Sequence, residues 1–166
     1  LMTIAFLGDS ITCGYGLSDV TKRYTASVSA RFGLDEENYG ITGTLIARAG
    51  LNREDGKDYV SRVHLISQAD VAVIFGGTND FGHGTIPLGD MESRDIHTFY
   101  GALHILCKYL IENYTDKPII FMTPLHRMYE DICMNGTGYI LKDYVQAIIN
   151  ATKRHNIYLI DLFNEI

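Results

Sequence analysis

Acyl transfer needs a nucleophile to attack a carbonyl carbon and fixed hydrogen-bond donors about 3 Å from the oxygen that takes up the charge. Three stretches of this sequence carry such groups. "FLGDSITCGYG" at 6–16 sets Ser10 between an apolar run and a glycine-rich segment. "NYGITG" at 38–43 offers backbone amides bared by Gly40 and Gly43, and "GGTNDFGHG" at 76–84 holds the side-chain amide of Asn79. Asp9 and Thr78 flank the serine and the asparagine, and His83 and His126 fall in loop-like stretches, which makes these four candidates for contacting a substrate.

Each group also has an ordinary use. A serine between a strand and a loop is commonly a turn or helix N-cap residue. Glycine-rich loops after a first strand often cradle phosphates, but "GDSITCGYG" has no lysine and lacks the G-x-G-x-x-G spacing. Asp9 and Asp80 could ligate a metal, yet no histidine or carboxylate cluster at ligand spacing accompanies them; either could equally orient a loop through backbone amides. Nor is this the nucleophile elbow of the α/β-hydrolases, because Thr12 stands where G-x-S-x-G needs its second glycine.

Whether these groups meet depends on the elements between them. "MTIAFLG" is too short for a buried helix and reads as an interior strand closed by Gly8. "ENYGI" is a second short strand, and "ADVAVIFGG" has the composition of a strand covered on both faces. Further strands are expected at "KPIIFMTP" and "IYLIDLF". Amphipathic spacing predicts helices over about 22–32, around "KDYVSRVHLIS", over about 94–113 and over about 139–154. With no repeat, low-complexity tract or linker, residues 1–166 read as one domain. Alternating strands and helices call for a parallel sheet with helices on both sides, joined by right-handed crossovers. Ligands of such sheets gather at the carboxyl ends of the strands. The three candidate stretches each begin where a predicted strand stops, so one rim collects Ser10, Gly40, Gly43 and Asn79.

Composition narrows the classes further. A chain of 166 residues buries roughly 70% of its unfolded surface, enough for a full core. No apolar run approaches the roughly 20 residues of a bilayer span. Acidic side chains number 20 against 14 basic ones, and the basic ones are scattered, so nothing resembles a phosphate-binding stripe and nucleic acid is not expected as a partner. Cys13, Cys107 and Cys133 are odd in number without C-x-x-C spacing, which argues against a disulfide framework and a zinc site and for a reducing, cytoplasmic compartment. The composition specifies no oligomeric state.

Taken jointly, "GDSIT", "NYGITG" and "GGTND" resemble the nucleophile, glycine and asparagine blocks of the SGNH superfamily of GDSL-type esterases and lipases, in that family's order and over essentially the whole chain. "DFGHGTIPLG" and "FMTPLHR" resemble loops of its bacterial members. The resemblance implies an α/β fold, a flavodoxin-like three-layer α/β/α sandwich with five parallel strands. It implies Ser10 as nucleophile, with an oxyanion hole made by the backbone amides of Ser10 and Gly43 and the side-chain amide of Asn79. It implies hydrolysis of a small-molecule or carbohydrate ester, as an esterase, lipase or deacetylase working without metal or cofactor. The family's acid and base come from an Asp-x-x-His block beyond the last strand, and this sequence reaches "LIDLFNEI" without one. The expectation is therefore a single domain lacking its C-terminal loop and helix, inactive as it stands for want of a base. Asp161 has no histidine three residues on and takes no triad role.

The remaining histidines read as packing residues: His64 and His104 on helix faces, His155 at a helix end where a cation favours the dipole. Cys13 reads as a small buried side chain. Phe81, Tyr129, Tyr139 and the loop at 82–95 are candidate pocket walls. Two other functions fit the same rim. One is a non-catalytic module that binds carbohydrate or another ligand and has lost the base; the other is a flavodoxin-like binder of nucleotide or flavin.

Overall fold

Ile4 and Phe6 turn to one side of the first strand and Ala5 and Leu7 to the other, the period of two that a strand covered on both faces requires. A computed structural model describes residues 1–50, 56–83, 86–133, 136 and 138–166. Its strands are β1 (Thr3–Gly8), β2 (Asp35–Gly40), β3 (Val71–Phe75), β4 (Ile119–Met122) and β5 (Tyr158–Ile160). Its helices are α1 (Ser10–Cys13), α2 (Tyr24–Phe32), α3 (Tyr59–Arg62), α4 (Thr78–Gly82), α5 (Phe99–Asn113), α6 (Leu141–Arg154) and α7 (Leu162–Glu165). The strands form one sheet in the order β2-β1-β3-β4-β5, every neighbour parallel. This is the flavodoxin-like order, whose switch point lies between β1 and β3.

The larger core joins one face of the sheet, through Ala5, Leu7, Ala72, Ile74 and Phe121, to Tyr59 of α3, Leu103 and Leu106 of α5, and Tyr144 and Ile148 of α6. On the other face Ile4, Phe6 and Val73 pack with Tyr24 and Val28 of α2, completing the three layers. β2 lies at the edge, and its acidic residues Asp35, Glu36 and Glu37 suit a strand that must not recruit another.

Local chemistry moved several boundaries from their expected places. The stretch "KDYVSRVHLIS" is not one helix: α3 passes directly into a 3-10 turn at Val63–Ile66. α5 starts at Phe99 rather than near 94, because Thr98 Oγ1 accepts the Gly101 amide at 3.0 Å and caps it. The last strand stops at Ile160, where Asp161 caps α7. α1, α4 and α7 are single turns, too short to leave a period in the sequence.

Two features bring the loops of the rim together. Gly40 at the end of β2 lies against α1 so closely that a Cβ there would stand 2.3 Å from the Cys13 amide nitrogen. Only a residue without a side chain lets the two segments meet. The second feature is Asp80, fully buried in α4, whose two carboxylate oxygens accept the backbone amides of Ile46 and Ala47, each at 2.9 Å. The loop after β2 is thereby tied to the helix after β3. Burial pushes the Asp80 carboxyl up from its ordinary 3.8 to about 7, against the pull of the two amides.

The folded state therefore holds the Asp80 proton more tightly than the unfolded chain does, and ionisation erodes stability as pH rises from about 4 towards 7. Asp80→Asn is expected to flatten that decline. It is also expected to cost about 1–3 kcal/mol near pH 4, since the Asn side chain turns an N–H towards one of the two buried amides, an offset that shrinks as pH rises towards 7. Urea unfolding of both proteins at intervals from pH 4 to 8 checks the slope and the offset together.

Candidate active site

Asp9 leaves β1 in an irregular conformation and caps α1, its Oδ1 accepting the Ile11 amide at 3.0 Å. The carboxyl is 2% exposed. Burial raises its pKa, and the Ile11 amide and the Arg62 guanidinium work in the opposite direction. Ser10 is the first residue of the helical turn that Asp9 caps and is partly exposed. The ordinary use considered for it, capping the helix, belongs to its neighbour.

Gly43 lies in the loop after β2 with φ +77°, a left-handed conformation that glycine adopts without strain. Its neighbour Thr44 is held by Ile41, whose carbonyl accepts the Thr44 hydroxyl at 2.8 Å. Asn79 occupies the second position of α4, is 7% exposed, and donates its Nδ2 to Thr44 O at 3.0 Å. A carboxamide has two N–H bonds, so Thr44 takes one of them and fixes the direction of the other. Ser10, Gly43 and Asn79 thus follow β1, β2 and β3, which are adjacent in the sheet, with Asn79 joined to the residue after Gly43.

Beside Ser10, on the β4 side, lies a cavity of about 130 Å³ lined by Asp9, Ile11, Phe75, Gly76, Thr78, Pro124, Leu125, His126 and Arg127. Three of the four candidate substrate contacts, Asp9, Thr78 and His126, border it. His83 does not: it ends α4, is exposed, and its backbone amide donates to Asn79 O at 2.8 Å. The His126 Nδ1 engages Glu130 at 2.9 and 3.2 Å, and its ring lies 4.1 Å from that of Phe163. Glu130 raises the His126 pKa through this bond, and the Arg127 amide and His126 in turn lower that of Glu130. Arg127 Nη1 donates to Thr78 O and Oγ1 at 3.2 and 3.0 Å, and its guanidinium lies 5.5 Å from the Phe81 ring centre.

Phe81 does not line this cavity. It is fully buried and packs edge-on against Tyr144, because the single turn of α4 directs it inward while Asn79 and Asp80 meet the loop after β2. Tyr129 and Tyr139 are exposed. Of the loop at 82–95, positions 84 and 85 lie outside the described residues. Asp9 and Asp80 both serve as acceptors for backbone amides, and among the described residues no group of three or more His, Cys, Asp and Glu side chains could hold a metal ion. No helix among them is long and apolar enough to cross a membrane.

Sequence reasoning missed Arg62, Arg127 and Glu130. Glu130 stands four residues after His126, a spacing that could have suggested the pair. Arg62 left no signal, since an arginine on an amphipathic stretch reads as a solvent-facing residue.

Comparisons with known proteins place the chain in a family and recover its fold. The model of the GDSL-like lipase/acylhydrolase family matches residues 6–166. A crystal structure of a Lactobacillus plantarum protein is 32% identical, covers 99% of this chain with 78% of its own length matched, and superposes with a TM-score of 0.86. At lower identity the fold recurs in a possible lipase from Chitinophaga pinensis (21%, 99% of this chain and 69% of that one, TM-score 0.76). It recurs also in the lipase/acylhydrolase from Enterococcus faecalis (24%, 99% and 77%, TM-score 0.67). No curated protein sequence matches the chain. On the match over residues 6–166, with the flavodoxin-like strand order, this chain belongs to the GDSL-like lipase/acylhydrolase family.

Proposed function

We propose that the protein is a serine hydrolase that cleaves carboxylic esters through an acyl-enzyme on Ser10. The observation that carries this reading is the tether between Asn79 and Thr44, which puts a side-chain amide beside Gly43 at the rim where Ser10 begins α1. In the reaction the Ser10 hydroxyl attacks the ester carbonyl carbon while a base takes its proton. The carbonyl oxygen gathers negative charge opposite the Ser10 and Gly43 backbone amides and the second Asn79 N–H. Collapse of the tetrahedral intermediate expels the alcohol, which takes up the proton, and water then releases the acid by the same route in reverse.

Donors that already point at the place where charge develops need no reorganisation at the moment of reaction. The buried bonds to Asp80 and Thr44 give the loop after β2 that fixity. The cavity beside Ser10 suits the acyl or alcohol part of a small ester, with His126 and Thr78 offering polar contacts to a carbohydrate or other polar leaving group. The chemistry requires neither a metal nor a cofactor.

A second reading has its own support. Among the described residues no hydrogen bond joins His126 to Ser10, and the imidazole engages Glu130 instead. A rim without a base would bind an ester or carbohydrate and leave it intact.

Once a base is present to take the Ser10 proton, a fluorophosphonate is expected to label Ser10 and to fail with Ser10→Ala; labelling that persists in Ser10→Ala would refute the nucleophile assignment. Turnover of p-nitrophenyl acetate separates the hydrolase from the binding module. Asn79→Ala removes one oxyanion donor, a loss of about 3–4 kcal/mol of transition-state stabilisation, and is expected to lower kcat roughly a hundredfold or more with little change in KM.

A further inference from the structure

A guanidinium is planar and carries five N–H donors in a fixed fork. Buried among carbonyls, it imposes distances on every segment that supplies one. Arg62, the last residue of α3, is 5% exposed. Its Nε donates to Lys57 O at 2.6 Å and its Nη1 to Tyr39 O at 2.5 Å. Its Nη2 donates to Gly8 O at 3.2 Å and to Thr44 Oγ1 at 3.1 Å.

The owners of these acceptors are what give the fork its meaning. Gly8 ends β1, two residues before Ser10; Tyr39 stands one residue from the end of β2; Thr44 follows Gly43 and holds Asn79 through its carbonyl. Gly8 O also accepts the Ile41 amide at 3.1 Å, so the end of β1 and the loop after β2 share one node. One planar group therefore spans the segment that carries the candidate nucleophile and the segment that carries a candidate oxyanion donor.

We infer that Arg62 is a positioning residue of the candidate active site: by holding Gly8, Tyr39 and Thr44 at once it sets the spacing between the Ser10 turn and the Gly43 and Asn79 donors. This inference rests on the reading of the rim as an acyl-transfer site. Arg62 acts through the backbone it holds and is buried behind the loops, away from any substrate. Its role depends on the shape of the fork as well as on its charge. A lysine would keep the charge, but its ammonium is a compact point charge with three rotatable donors on a flexible stem and cannot reproduce four directed bonds in one plane.

The test compares the wild-type protein with Arg62→Lys and, because a buried arginine also contributes to folding, with the near-isosteric Thr44→Val, which removes one acceptor of the fork together with that hydroxyl's own bond to Ile41 O. Fluorophosphonate labelling over a series of concentrations separates reversible binding of the probe from bond formation at Ser10, and amide hydrogen exchange follows the loops independently of any chemistry. Displacements on the order of 1 Å cost up to about a hundredfold in rate. The bond-forming rate constant is therefore expected to fall about tenfold or more in Arg62→Lys and severalfold in Thr44→Val, with the probe's reversible binding nearly unchanged. Exchange is expected to quicken at residues 41–47 while β1, β3 and α5 keep their protection.

Wild-type rates and wild-type exchange in both variants would overturn the inference. So would an Arg62→Lys protein that exchanges faster in every element together with a Thr44→Val protein that labels normally, since Arg62 would then serve general stability. Failure of the wild-type protein itself to label would mean either that no base serves Ser10 or that the acyl-transfer reading is wrong, and the exchange measurement alone would then decide whether Arg62 holds the two loops.

Discussion

A parallel sheet sends the carboxyl end of every strand to the same edge, and the chain that leaves that edge no longer has a neighbouring strand to satisfy its backbone. Buried N–H and C=O groups left unpaired are costly. In this protein side chains meet them. Asp9 takes the Ile11 amide, and Asn38 takes the Gly40 amide while donating to Thr12 O. Asp80 takes the amides of Ile46 and Ala47, Tyr59 donates to Phe75 O, and Arg62 serves Gly8, Tyr39 and Lys57. The rim is held by polar side chains reaching from one loop to the backbone of another.

That arrangement explains why the chemistry and the scaffold are hard to separate. Asn79 and Asp80 are adjacent in one helical turn; the first meets Thr44 O and the second meets two amides two and three residues further on. A change in either removes a bond that ties the loop after β2 to α4. Buried ionisable groups such as Asp80 and Arg62 weaken a fold unless their hydrogen-bonding capacity is filled, and here filling it draws three strand ends into one place. A family that hydrolyses esters gains from such rigidity, because a donor that has to be reoriented during reaction stabilises the transition state less than one already aimed.

The two flanks of Ser10 differ in character. On the β2 side the loop is buried from Thr44 to Ala47, its backbone tied to Asp80 and Asn79 and its Thr44 hydroxyl to Arg62. On the β4 side the cavity opens onto His126 and Arg127, which are exposed and held by Glu130 and Thr78, next to the apolar and exposed Met128 and Tyr129. Bonds between exposed groups are weakened by water and salt. The β2 flank is built to hold one geometry, and the β4 flank is the more adaptable.

Much of this was written in local pattern. The interior strands β1 and β3 announce themselves as short apolar runs, and strand–helix alternation leads to a parallel sheet with a ligand rim, because these properties depend on near neighbours along the chain. The stretches around Ser10, Gly43 and Asn79 could be picked out for the same reason, each being a turn that must follow a strand. What local pattern did not hold was the partner of each polar side chain. Phe81 reads as a loop residue and lies in the core; His83 reads like His126 and stands apart from the cavity; Arg62 reads as a solvated helix residue and is among the most buried charges of the molecule. A single turn such as α4 is too short to show a period, and the burial of a charged side chain depends on carbonyls supplied from far along the chain: 54 residues away for Gly8 and 18 for the Thr44 hydroxyl. The sequence by itself determined the five strands, the longer helices α2, α5 and α6, and which turns carry the candidate reactive groups; the tertiary structure decided the single-turn helices and which side chains satisfy the backbone at the rim, since that depends on atoms that only folding brings within hydrogen-bond reach.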